Sequence, residues 1–360
     1  MKILFLSEST ASTGGTRQLL LLASALSARG HRLTVACRPG SVLNSLCPPL
    51  GIGTVNFGFR SDADAASALK LAAHCRRERY DVLQTFHPRA HGAALAAKYL
   101  GAPGALSVRR GVIFPIPANP FSRFKYNSAR ISTLIAVSEA VRTEFLKAGV
   151  EPARIAVIPP GIEQSEWREA AEARSALPWA PPFRIGMIAH FAPFKGQDLM
   201  LQAARTVLRS YPDVRFVFVG RGQEELKSLA EAAGLSGSVE ILGPRGDVPA
   251  LIRDLHIVAA PSRQEGVPNT LIEAQTAGAA VIGARVGGIP EVITDGETGL
   301  LFPPGDADAL ARALLRLLGD GQLAGRLSAA GKSSSEKRFS MPAIAARFEE
   351  IYLRASGAAL

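Results

Sequence analysis

The chain has 360 residues, 47% of them hydrophobic and 20% charged, a globular balance that excludes a disordered polypeptide and makes two domains the default. Its three cysteines, Cys37, Cys47 and Cys75, are odd in number and lack metal-ligand spacing, which argues against a disulfide framework or a zinc site and for a reducing compartment. The net charge of +10 lies in one half: residues 1–170 carry 21 Lys+Arg and 11 Asp+Glu, whereas 171–360 carry 20 of each. A local anionic partner follows: lipid, a phosphorylated acceptor or nucleic acid.

The chain opens on "MKILFLSESTASTGG", whose short apolar run suits a buried parallel strand and is too short for a signal peptide. No run reaches the roughly 18 apolar residues that span a bilayer. The reading is a cytoplasmic protein that at most rests on the inner face of the cytoplasmic membrane. Strand candidates follow at 2–7, 32–37, 81–86, 105–108, 133–138 and 154–162, with amphipathic helices such as Thr16–Arg29, Ala63–Arg79 and Arg89–Leu100 between them. That rhythm predicts βαβ units and a parallel sheet. Residues 163–182 are charged, then proline-rich, and read as a connection. The alternation restarts at 183–191, 215–220, 238–243, 256–261, 279–284 and 299–303. The predicted architecture is therefore α/β, with one domain over 1–163 and a second over 164–340.

Parallel α/β sheets bind ligands beyond the carboxyl ends of their strands, so four loops carry the functional reading. In "SESTASTGGTRQ" (7–18), Gly14 and Gly15 open a helix whose bare amides can approach an anion. In "TFHPRAHG" (85–92), His87 stands where a strand-end catalytic residue stands; His91 follows one helical turn later, but no further ligands accompany the pair, so metal is rejected. In "AHFAPFKGQD" (189–198), Lys195 precedes Gly196 and a helix, placed to reach a phosphate. In "SRQEGVPNTLIEA" (262–274), Pro268 fits a first helical position and Asn269 a cap. The free amides there suit a phosphate. Glu265 and Glu273 would repel it, and instead suit the hydroxyls of a sugar on either side of a diphosphate.

The "EGVPNTLIEA" motif, with "KGQD", "VFVGRGQE" (217–224), "GGIPEVI" and "GETGLLFPPGD" (296–306) in order, resembles family 4 retaining glycosyltransferases of the GT-B fold. The resemblance implies two Rossmann-like domains with parallel sheets facing across a cleft, and a terminal helix (341–360) packing back on the first. It implies Glu265 and His87 at the transferred sugar and Glu273 at the ribose. Lys195 and the backbone around Gly266, Val267, Pro268, Asn269 and Thr270 would hold the diphosphate, and Gly15 would face it from the first domain. Where the family has an arginine five residues before the lysine, this chain has His190. A neutral imidazole supplies less charge, and Arg221 or Arg263 could substitute.

The resemblance implies transfer of a hexose from a nucleoside-diphosphate sugar, with retention, to a glycan or lipid-linked acceptor of cell-surface polysaccharide or lipopolysaccharide. No metal is obligatory in this reading. "SVRRGVIFPIPANPFSRFKYNSAR" (107–130) interleaves Arg109, Arg110, Arg123 and Lys125 with aromatics, which suits an acceptor or an anionic membrane surface; no nucleic-acid motif accompanies it. A nucleotide-sugar epimerase and a non-catalytic nucleotide-sugar-binding subunit are the alternatives.

Overall fold

Alternating apolar runs and helices build two parallel sheets in the computed structural model, which describes residues 1–174 and 177–357. Ser175 and Ala176 of the expected connection, and residues 358–360 of the expected terminal segment, lie outside the described residues. The first sheet holds β1 (Lys2–Leu6), β2 (Arg32–Cys37), β3 (Gly53–Asn56), β4 (Val82–Thr85), β5 (Ala105–Arg110), β6 (Ile131–Ala136) and β7 (Ile155–Val157). The second holds β8 (Arg184–Ile188), β9 (Arg215–Val219), β10 (Val239–Leu242), β11 (Ile257–Ala260), β12 (Ala280–Ala284) and β13 (Leu300–Phe302). The orders are β3-β2-β1-β4-β5-β6-β7 and β10-β9-β8-β11-β12-β13. Each order reverses beside the sheet's first strand, between β1 and β4 and between β8 and β11. Loops leaving the carboxyl ends there diverge and open a crevice.

The central strands β8 and β11 and, after Lys2, β1 are almost wholly apolar because helices cover both faces. All of β11 is buried, and Ile3, Leu4, Phe5 and Leu6 are fully buried, each of these four side chains contributing about 1.5–3 kcal/mol of transfer free energy. The edge strand β3 was not among the predicted strands. Its four residues, "GTVN", are half-exposed and show too short an alternation to register.

The chain forms two units, Met1–Gly161 with the segment from Met341, and Ile162–Ser340. The helix Met341–Ser356 packs on the helix Gly14–Ala28. Tyr352 Oη donates to Gln84 Oε1 at 2.9 Å, Arg347 donates to the Val157 carbonyl at 2.6 Å, and Glu349 receives both Arg29 and His31.

The connection read over 163–182 needs correction. A helix runs over Ser165–Arg174 and belongs to the second unit. Trp167 is fully buried in that unit's core. The Arg174 guanidinium donates to the carbonyls of Gly278 (2.9 Å), Ile252 (3.1 Å) and His256 (3.0 Å), and to Leu255. Charged residues hid the helix because its apolar stripe is narrow and its arginine finds its partners some eighty to one hundred residues later.

Candidate functional site

In the second unit three loops meet at the strand-order reversal. The first, after β8, carries His190 and a single 3₁₀ turn, Pro193–Lys195. Gly196 closes it at φ +81°, and a Cβ there would stand 2.1 Å from the Pro261 carbonyl oxygen. Only glycine lets this loop lie against the loop after β11. That close approach brings Lys195 Nζ to 2.6 Å from Glu265 Oε2. Ser262 Oγ also donates to that carboxylate oxygen, at 3.3 Å. Lys195 and Glu265, seventy residues apart, are therefore in contact. The third loop follows β9, where Gly220 and Gly222 adopt positive φ against Ala189 and Phe191.

The helix after Glu265 runs over Asn269–Thr276. Here the sequence reading shifts by one residue: Pro268 is the cap position, Asn269 is the first helical residue, and no side chain caps the helix. Proline has no N–H and its fixed φ suits the entry. The amides of Gly266, Val267, Asn269 and Thr270 make none of the hydrogen bonds among the described residues, so the helix start presents unengaged donors. Glu273 is buried in the second turn.

His190 is exposed, stacks edge-on to Phe194 at 6.0 Å, and accepts Gln197 at its carbonyl. Partial desolvation, then the charges of Lys195 and Arg221, hold its imidazole below the ordinary histidine range, so it is neutral at neutral pH. Arg263 is gripped by both oxygens of Asp198, at 2.8 and 2.7 Å, and is not a free substitute for a missing arginine. Arg221 is exposed, with no side-chain partner among the described residues.

In the first unit, Gly15 lies in the first turn of the helix Gly14–Ala28, capped by Thr13 Oγ1, which accepts from the Thr16 amide at 3.2 Å. A Cβ on Gly15 would lie 3.8 Å from His87 Nε2, so the glycine and the histidine are neighbours across the β1–β4 reversal. His87 stands at the residue before the helix Pro88–Tyr99 without a side-chain bond to it, and its Nδ1 pairs with Ser7 Oγ at 3.0 Å. Burial lowers its pKa against the opposing pull of Glu8. The sequence reading missed Glu8: its carboxylate accepts the amides of Arg89 (3.1 Å) and Ala90 (2.9 Å), filling the helix start beside His87. Its position directly after β1 was the available signal.

The basic stretch also needs correction. Residues 120–127 are a helix, with the Asn119 side chain accepting from the Ser122 amide at 2.7 Å. Lys125 is buried, donating to Asp62 (2.8 Å) and the Pro88 carbonyl (2.8 Å), and is no surface cation. Arg109 and Arg110 line a pocket of about 280 Å3 together with Gly15, His87 and His91. Arg110 donates to Tyr126 Oη at 3.1 Å and to the Phe114 carbonyl. Of the four predicted cations Arg123 alone is exposed, beside Phe121 and Phe124. Among the described residues no three His, Cys, Asp or Glu side chains converge as a metal site would require, and no helix is long and apolar enough to cross a membrane.

The family model described as "Glycosyltransferase Family 4" matches residues 12–166, and that described as "Glycosyl transferases group 1" matches 182–320. A "D-inositol 3-phosphate glycosyltransferase" of Corynebacterium urealyticum is 34% identical over 186 residues, 47% of this chain and 44% of that protein. A protein of the same description from Streptomyces bingchenggensis is 31% identical over 240 residues, 62% of this chain and 52% of that protein. The chain spans about half the length of the curated relatives it matches. Anabaena Alr3699/HepE, solved with UDP and glucose, superposes with a TM-score of 0.82 at 24% identity, covering 97% of this chain and 98% of that one. WaaG, described as a glycosyltransferase involved in lipopolysaccharide biosynthesis, superposes with a TM-score of 0.73 at 19% identity, covering 99% and 100%. The chain belongs to the family 4 glycosyltransferases and has their GT-B fold.

Proposed function

We propose that this protein is a retaining glycosyltransferase that moves a hexose from a nucleoside-diphosphate sugar to a glycan or lipid-linked acceptor in cell-surface polysaccharide or lipopolysaccharide assembly. The observation that carries the reading is the Lys195–Glu265 contact at the strand-order reversal, beside the unengaged amides of Gly266, Val267, Asn269 and Thr270. A diphosphate on those amides draws Lys195 to its negative charge. Glu265 is then released to accept a hydroxyl of the transferred sugar. Glu273 accepts the ribose hydroxyls, and Arg221 supplies the charge that neutral His190 does not. The solved neighbour with UDP and glucose supports the donor class.

In the transfer, the bond from the sugar's anomeric carbon to the diphosphate oxygen breaks, and its electron pair stays on the diphosphate. The acceptor oxygen bonds that carbon on the same face, and its proton passes to the leaving phosphate. Preorganised charge on the leaving group is the main catalytic contribution. Once Lys195 turns to the diphosphate, Glu265 keeps the Ser262 hydroxyl as a donor and has the role of recognising a sugar hydroxyl, not that of a nucleophile. His87, with its pKa depressed, hydrogen-bonds the transferred sugar as a neutral imidazole.

The first unit takes the acceptor. An apolar hollow of about 500 Å3 between the helices Ala65–Glu78, Pro88–Tyr99 and Pro120–Asn127 is lined by Leu69, Tyr99, Phe121 and Phe124. Lys70, Arg123 and Arg130 are exposed on these helices and just beyond them, with Arg130 over the Tyr99 ring at 5.6 Å. Apolar anchors ringed by cations suit the surface of an anionic membrane.

The test is turnover of UDP-, GDP- and ADP-hexoses with EDTA present. Transfer to an envelope-type acceptor with retained configuration is expected from one of the three. Inverted product, strict dependence on added metal, or epimerised free donor would refute the reading.

A further inference from the structure

The first-unit pocket holds an unusual electrostatic arrangement. Two guanidiniums, Arg109 and Arg110, and two imidazoles, His87 and His91, line it, and no carboxylate does. The Arg109 guanidinium makes no hydrogen bond among the described residues; it lies over the Phe86 ring, 5.8 Å away, and within electrostatic reach of the Tyr352 hydroxyl. Burial brings its pKa down to about 10, which leaves it fully charged at neutral pH. Arg110 bonds through its terminal nitrogens, but its buried Nε has no partner. His91 is 1% exposed, and neither ring nitrogen makes a hydrogen bond of normal geometry, although the Lys125 backbone lies beside it. Of the carboxylates around the pocket, Glu8 is held by two backbone amides and Asp62 by Lys125.

A guanidinium offers five donors in a fixed fork, and leaving them unmatched in a partly desolvated pocket is unfavourable. Half-buried guanidiniums in a pocket that no carboxylate lines suit a ligand anion. We infer that the acceptor carries a phosphate group, held in this pocket by Arg109 and Arg110 beside His87. The planar forks of two arginines suit the several oxygens of a phosphate, and the small volume suits one phosphorylated ring or headgroup. The inference rests on the glycosyltransferase reading for the word acceptor, but the anion site itself stands on this pocket alone.

The test saturates the full chain with UDP, so that Lys195 and the helix start are occupied, and then titrates inorganic phosphate and D-inositol 3-phosphate by calorimetry. Both should bind, and Arg109→Gln should weaken each by about tenfold or more, the scale of one charge-assisted contact, with UDP affinity unchanged. Arg109→Lys, which keeps the charge, should recover part of the loss. Retained UDP binding shows that the variants fold. Displacement of phosphate by phosphatidylglycerol vesicles would assign the group to a lipid headgroup, and displacement by soluble sugar phosphates alone to a soluble acceptor. Equal binding by wild type and Arg109→Gln, or myo-inositol or D-glucuronate binding as tightly as the phosphorylated probe, would overturn the inference. Failure of UDP to bind while phosphate still binds would instead count against the donor reading.

Discussion

The two units reverse strand order at the same place, beside the first strand of each sheet, yet they arm that place differently. The second unit sets a lysine against a glutamate at 2.6 Å. The first gathers two guanidiniums and two imidazoles with no facing carboxylate. A common topology thus fixes where ligands go, and the loop residues decide which ligand and in what state the site waits for it. In the second unit the cation has an internal anionic partner, which the proposed diphosphate would displace. In the first, no carboxylate lines the pocket, and the proposed ligand would bring the charge.

Breaking the second unit's pair gives the largest effect. Lys195→Ala should lower transfer by roughly 10²–10³, the scale for removing one preorganised stabiliser of developing negative charge, measured as kcat at saturating donor. A wild-type rate would remove Lys195 from the mechanism. Next comes the close approach that creates the pair. Gly196→Ala forces a Cβ to 2.1 Å from a carbonyl oxygen at φ +81°, and should destabilise the second unit by at least about 2 kcal/mol. Calorimetry should show its transition shifted and the first unit's unmoved.

The first unit's surface is tested by Phe121→Ser with Phe124→Ser. Sedimentation with phosphatidylglycerol vesicles should fall several-fold, and binding should weaken with salt as screening requires. Unchanged sedimentation would confine the hollow to a soluble role. The smallest effect is on pH. Burial lowers the folded-state pKa of His91 well below 6.5, and that of His87 also. The unfolded chain therefore binds protons first as pH falls. Stability is full above about 6.5 and declines between that value and the depressed folded-state values. His91→Phe should flatten the decline in a urea series between pH 7 and 5; an unaltered slope would show that other groups govern it.

Much of this contrast was legible in the sequence. Strand-end loops were marked by apolar runs ending in glycine and proline, which placed Gly15, His87, Lys195 and Glu265 in candidate loops, while the roles of Gly15 and His87 came from the family resemblance. Long-range partners could not. Lys125 reads as a surface cation because Asp62, which buries it, lies 63 residues earlier. Arg263 reads as a spare guanidinium because Asp198, which holds it, is 65 residues away. The unpartnered state of Arg109 was equally hidden, since it depends on which carboxylates the fold keeps out of the pocket. Sequence shows the residue type and the loop; it does not show which charge is already matched.

The central claim is that the second unit binds a nucleoside-diphosphate sugar between Glu265 and Glu273. Its most direct test is thermal shift with UDP-, GDP- and ADP-sugars in EDTA, on wild type and Glu273→Ala. One nucleotide-sugar, at 100 times its dissociation constant, should stabilise the wild type by about 2.7 kcal/mol and leave the variant unmoved. No stabilisation by any of the three, or equal stabilisation of both proteins, would contradict the account.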